Sequence, residues 1–163
     1  PVYIIGETRE EMGASALYRR YGGRGGRVPE VDSAALSARS DMLLEAMSRG
    51  LIRSCHDCAD GGLAVTLAEM CLGGDLGFEG DLSGMGDLPA EAKLFSESAS
   101  RFIVEVDVAR RGEFESIAGG HAIQIGIVGR GRMTIKDGRK TIVDLKVPAM
   151  RKAWSEPLWR LLG

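Results

Sequence analysis

Several things are missing from this sequence, and each absence narrows what the chain can be. No apolar run approaches the roughly 20 residues that a helix needs to cross a bilayer, so no membrane-spanning helix is expected. The opening Pro1-Val2-Tyr3-Ile4-Ile5-Gly6 has neither the basic flank nor the cleavage pattern of a signal peptide. There is also no excess of basic charge. Lys and Arg number 21 against 23 Asp and Glu, for a formal net charge of −2. That removes the global electrostatic case for nucleic acid or an anionic membrane as partner, and leaves room only for a local cluster able to hold one phosphate. Finally, the three cysteines, Cys55, Cys58 and Cys71, cannot all pair within one chain. A reducing, cytoplasmic setting is expected, since a domain of this size needs no staples. The chain has no initiator Met and enters a strand-like run at once, the pattern expected of a piece of a longer protein or of a processed or trimmed chain.

What is present fits a globular domain. The 163 residues suffice for a single domain, residues 1–163, with a real core. Hydrophobic and charged fractions of 44% and 27% are ordinary for a folded domain. The 23 glycines gather where turns or close approach to a ligand are expected.

Periodicity predicts a mixture of elements. Val2–Ile5 reads as a buried strand ending at Gly6, and Gly13–Tyr18 as a short helix. Residues 22–29, with Gly22-Gly23-Arg24-Gly25-Gly26-Arg27, read as loop. Asp32 or Ser33 caps a helix that carries Leu36, Leu43, Leu44 and Met47 and closes at Gly50. A strand over 51–57 leads through Ala59-Asp60-Gly61-Gly62 into an apolar helix over Leu63–Cys71, ended by Gly73-Gly74. Strands follow at 76–82, 101–106 and 122–128, with helices at 89–95 and 108–117. Met133–Ile135 and Thr141–Leu145 form a hairpin around Lys136-Asp137-Gly138-Arg139. Pro148 opens a last helix bearing Trp154, Leu158, Trp159 and Leu162, residues read as packing or partner contacts. Strands and helices alternating in this way predict an α+β or α/β layered domain with a mixed β-sheet.

Three constellations could carry chemistry. In Cys55-His56-Asp57-Cys58-Ala59-Asp60-Gly61-Gly62-Leu63, a strand delivers polar side chains to a Gly-Gly turn that opens a helix. Free N–H groups at such a start favour an anion. Asp57 and Asp60 could hold Mg²⁺, or Asp60 could simply cap the helix. In Leu94-Phe95-Ser96-Glu97-Ser98-Ala99-Ser100-Arg101-Phe102, three hydroxyls, a carboxylate and a cation precede a strand. They could meet a ligand or satisfy local backbone. Arg24 and Arg27 could close on phosphate or lie on a plain surface loop. Cys55 and Cys58 also spell C-x-x-C. Zinc would draw on Cys55, Cys58, Cys71 and His121 but lacks a second paired motif. A redox pair would need to open the helix directly, and Ala59–Gly62 intervenes. All three cysteines can equally be small core residues.

Taken in order, Val2–Thr8, Gly13-Ala14-Ser15, Pro29–Asp32, His56-Asp57-Cys58-Ala59-Asp60-Gly61-Gly62-Leu63 and Phe95-Ser96-Glu97-Ser98-Ala99-Ser100-Arg101-Phe102 resemble the synthetase subunits of phosphoribosylformylglycinamidine synthases. The region resembled is the C-terminal domain of the aminoimidazole ribonucleotide synthetase superfamily, in the second half of that subunit. The resemblance covers nearly the whole chain. It implies a purine-synthesis ligase that uses ATP, Mg²⁺ and glutamine-derived ammonia to turn formylglycinamide ribonucleotide into formylglycinamidine ribonucleotide. It implies as partners an N-type domain of the same synthetase, a glutaminase and small accessory subunits. This chain has no N-type counterpart, so it is expected to lack a catalytic base and to be inactive alone. The implied contacts are Ser96, Glu97, Ser98, Arg101, Gly61 and Gly62 for substrate or phosphate, and Asp57 and Asp60 for metal. A selenophosphate synthetase, a thiamine-monophosphate kinase or a non-catalytic assembly module are the alternatives. Cys58 departs from the relatives, which often carry a less reactive residue there.

Overall fold

A computed structural model describes residues 1–162, apart from the side chains of Leu158, Trp159 and Leu162. Seven strands form one mixed sheet in the order β2-β4-β1-β5-β3-β6-β7. They are β1 (Val2–Ile5), β2 (Ile52–Asp57), β3 (Gly77–Asp81), β4 (Phe102–Val106), β5 (Ala122–Gly129), β6 (Arg132–Asp137) and β7 (Lys140–Lys146). Every neighbouring pair is antiparallel except β3 and β6, which run parallel. The α+β expectation with a mixed sheet is therefore met. Among the described residues no helix is long and apolar enough to cross a membrane.

Helices cover the two faces unequally. The helices are α1 (Ala16–Tyr21), α2 (Ser33–Ser48), α3 (Gly62–Gly74), α4 (Ala90–Phe95), α5 (Arg111–Ala118) and α6 (Val147–Leu162). Under α3, α4 and α6 lies the larger core, with Ile4, Leu63, Leu67, Phe78, Ile103 and Ile135. Under α2 and α5 lies a smaller one, with Tyr3, Ile5, Leu51, Val104 and Phe114. Strand alternation makes this possible: β1 is paired on both sides, so Ile4 faces one core while Tyr3 and Ile5 face the other.

The boundaries differ from expectation in ways that have local causes. Asp32 rather than Ser33 caps α2, its carboxylate accepting from the Ala35 N–H at 3.0 Å. Only Leu43 of the expected apolar line on α2 is buried; Leu36, Leu44 and Met47 are exposed, because the face turned to the core runs through Met42, Leu43 and Ala46. Gly73 and Gly74 do not end α3. The stop comes at Asp75, in the left-handed region at φ 51°, whose N–H returns to the Cys71 carbonyl. The expected helix at 108–117 splits into a 3₁₀ turn over Val108–Arg110 and α5, because the Asp107 side chain binds the Ala109 N–H. The first short helix starts at Ala16, capped by Ser15, not at Gly13. On α6, Trp154 is 63% exposed and is not a packing residue; the side chains of Leu158, Trp159 and Leu162 lie outside the described residues.

Candidate functional site

Four segments meet at one end of the sheet: the carboxyl end of β1, the start of α1, the Gly61-Gly62 turn before α3, and residues 96–101 before β4. Glu97 ties them together. Its Oε1 accepts from the Ala16 N–H at 2.7 Å and from the Gly61 N–H at 2.8 Å. α3 has no side-chain cap of its own. The negative charge that a helix start favours thus comes, at Gly61, from within the chain.

The glycine turn is required by contact as well as by conformation. Gly62 has φ +63°, and a Cβ there would stand 2.4 Å from the Ser96 carbonyl oxygen. Gly6 has φ +92°, and its Cβ would meet the Ser100 carbonyl at 2.6 Å. Both glycines let backbone pack on the 96–101 loop where no side chain fits.

Within that loop the polar side chains point inward. The Ser96 hydroxyl donates to the Arg9 carbonyl at 2.6 Å and lies 3.0 Å from the Ser98 hydroxyl, which accepts from the Arg9 N–H at 3.0 Å. Arg101 is only 1% exposed. Its guanidinium donates to the Ser96 and Ser98 carbonyls, at 2.5 and 2.9 Å, and to the Thr8 hydroxyl at 3.0 Å. Burial pulls the Arg101 pKa below its ordinary value, opposed by Cys58, Glu11 and Glu97 nearby. Glu11 is buried too; one oxygen accepts from the Glu30 N–H at 3.3 Å, and the other has no partner among the described residues.

Asp57 and Asp60 stand differently. Their side chains are 66% and 85% exposed. Asp60 pairs with Arg19 of α1 at 3.5 Å, and Asp57 lies 3.4 Å from His56 Nδ1. The described residues hold no group of three His, Cys, Asp or Glu placed to take a metal. A magnesium ion here would need phosphate oxygens or water for most of its ligands. Beside the β1 end, Gly6–Glu10, Met85–Leu88, Ile4 and Ile123 line a cleft of about 410 Å³.

The structure thus gathers Gly61, Gly62, Ser96, Glu97, Ser98 and Arg101 into one interlocked end, with Asp57 and Asp60 exposed beside it. Sequence reasoning missed Thr8, Arg9, Glu11 and Arg19 as members. The stretch between Gly6 and Gly13 carried a signal, since polar residues crowd between two turn-forming glycines. Arg24 and Arg27 lie in an exposed loop that folds back onto this end through the Gly13 N–H, which donates to the Arg27 carbonyl at 2.8 Å.

The cysteines do not form a pair. Cys58 and Cys71 are buried in the core under α3, whereas Cys55 packs against the other core. Burial pushes all three thiols up, Cys71 to about 11. Among the described residues neither a redox couple nor a thiolate zinc site is arranged.

The chain is similar to several known proteins. The family model described as "AIR synthase related protein, C-terminal domain" matches residues 1–138. The phosphoribosylformylglycinamidine synthase subunit PurL of Methanothrix thermoacetophila is 35% identical over 161 residues, covering 96% of this chain and 21% of that protein. The same subunit of Thermobifida fusca is 38% identical over 168 residues, covering 99% and 21%. The chain therefore spans about a fifth of the length of these curated relatives. Among solved structures, T. maritima PurL complexed with FGAR superposes with a TM-score of 0.79 at 19% identity, over 91% of this chain and 27% of that one. T. maritima PurL complexed with ATP gives 0.73 at 19%, over 91% and 25%.

Proposed function

The chain belongs to the family of AIR synthase related C-terminal domains, and from that premise we propose that it serves as such a domain in the synthetase subunit of a phosphoribosylformylglycinamidine synthase, in its second half. The whole protein would convert formylglycinamide ribonucleotide, ATP and glutamine-derived ammonia to formylglycinamidine ribonucleotide in the cytoplasm. An N-type domain of the same synthetase, with a separate glutaminase and small accessory subunits as partners, would complete the machinery. The support is the identity to PurL subunits over nearly the whole chain.

One observation carries the reading at the level of residues. Glu97 joins the H-D-x-x-D-G-G-L turn to the F-S-E-S-x-x-R-F loop through its bond to the Gly61 N–H. Two separate motifs become one rigid wall. Ser96, Ser98 and Arg101 would serve the ligand by holding that wall in shape, with their side chains turned into it. Gly61 and Gly62 would keep its surface free of side chains. Asp57 and Asp60 would offer carboxylate oxygens to a phosphate-bound Mg²⁺, which when present neutralises charge on the transferring phosphoryl group. No catalytic base is proposed within this chain. His56 is engaged with Asp57 and Glu69.

Calorimetric titration with Mg-ATP and then with formylglycinamide ribonucleotide tests the proposal. The chain alone should give no saturable heat. Joined to the remaining four-fifths of its synthetase and supplied with ammonia, it should support amidine formation. Micromolar binding to the isolated chain, near −8 kcal/mol, would overturn its incompleteness. A joined protein that binds neither ligand would overturn the assignment.

A further inference from the structure

A second hollow lies between the sheet and the carboxyl-terminal half of α3, where Gly73 and Gly74 bring no side chains to fill the space. Its volume is about 420 Å³, within the range of small-molecule sites. The floor is apolar: Val2, Leu67, Met70 and Phe78 line it. One wall is not. Ser54, His56 and Glu105 stand on the sheet face that elsewhere carries buried Ile4 and Ile103, and Glu69 of α3 faces them.

Polar groups on a core-facing surface are informative where apolar ones would pack better. Here they are only partly used by one another. Ser54 donates to Glu105 Oε2 at 3.2 Å, and His56 Nε2 lies 3.6 Å from Glu69 Oε2. The other oxygen of each carboxylate meets no donor among the described residues. No lysine or arginine lines the hollow among the described residues. The result is an apolar floor under a rim carrying two carboxylates and one imidazole, with no lysine or arginine among its described lining residues.

We propose that this hollow is a binding site, separate from the interlocked end, for a small organic cation: a primary amine or amidine on a compact apolar or aromatic body. The body fills the floor between Val2, Met70 and Phe78. The cation donates to Glu69 and Glu105, where a charge-assisted bond at a partly dry rim is stronger than one in water. The assignment rests on charge complementarity and stands independently of the purine-synthesis reading.

Benzamidine, benzyl alcohol and benzoate, titrated into the ¹⁵N-labelled chain and followed by amide shifts, test it. Benzamidine should saturate and move the amides of Cys71, Gly73 and Gly77. Benzyl alcohol should bind about tenfold more weakly, the value of one charged hydrogen bond, and benzoate should not bind. Glu69→Gln with Glu105→Gln should weaken benzamidine about tenfold and leave amides elsewhere unmoved. Val128→Trp, at the mouth, should abolish the shifts. Equal binding of benzamidine and benzyl alcohol would overturn the proposal, reducing the hollow to a nonselective apolar gap. So would shifts that map to residues 96–101, or no saturation at all.

Discussion

Glu97 and Gly61, 36 residues apart, are joined by one hydrogen bond of 2.8 Å from the glycine N–H to the carboxylate. The same oxygen holds the Ala16 N–H, so a single side chain fastens α1, the turn before α3 and the loop before β4. Glu97→Ala would leave two partly buried N–H groups without an acceptor. The expected loss is about 2–4 kcal/mol, read as a lower urea midpoint at unchanged slope. Glu97→Gln, which keeps an acceptor but not the charge, should lose roughly half as much.

Two glycines of α3 should respond oppositely to alanine. At Gly62, φ is positive and the new methyl meets the Ser96 carbonyl; destabilisation of about 2 kcal/mol or more is expected. At Gly73 nothing lies within 4 Å and the backbone is helical. There alanine should stabilise by about 0.5–1 kcal/mol. Thermal unfolding of the two variants measures both signs. A similar loss in each would mean that the close approach at Gly62 does not matter.

Arg101 spans three acceptors, the Ser96 and Ser98 carbonyls and the Thr8 hydroxyl. Arg101→Met should cost about 3–5 kcal/mol, since it strands the Ser96 and Ser98 carbonyls in the interior and leaves Glu11 without its neighbouring cation. Arg101→Lys should recover only part of this, because a point charge cannot serve a planar fork of acceptors. Chemical denaturation of both variants, with amide exchange at residues 96–101, gives the comparison.

Alkaline stability should report Tyr3. Burial, together with its hydrogen bond to Glu115 at 2.8 Å, pushes the phenol up from 10.0 to about 12. A folded-state pKa above the unfolded one contributes stability in full below pH 10, and that contribution is lost as pH rises towards 12. Urea midpoints should fall across this window, and Tyr3→Phe should flatten the fall. In acid the partner behaves in the opposite sense. The Arg111 hydrogen bond, with that of Tyr3, holds Glu115 below its usual 4.5, so its contribution is present above that value and disappears as pH drops through the lowered pKa.

Much of this protein was legible in one dimension. The order of strands and helices follows from period and from turn chemistry, which act over a few residues: the Gly138 turn at φ 61°, the Asp32 cap and the Gly50 stop are local devices. The two motifs that carry the family resemblance are likewise contiguous runs. Tertiary structure alone decided what their side chains do. Ser96 reaches Arg9 across 87 residues, and Arg101 reaches Thr8 across 93; no local pattern says that these hydroxyls and this guanidinium turn inward, while Asp57 and Asp60 stay in solvent. It also decided that Trp154 is exposed and that C-x-x-C faces two different cores, because burial depends on which distant element arrives to cover a face. Helix and strand are chosen by neighbours in sequence, whereas a side chain's partner is chosen by neighbours in space.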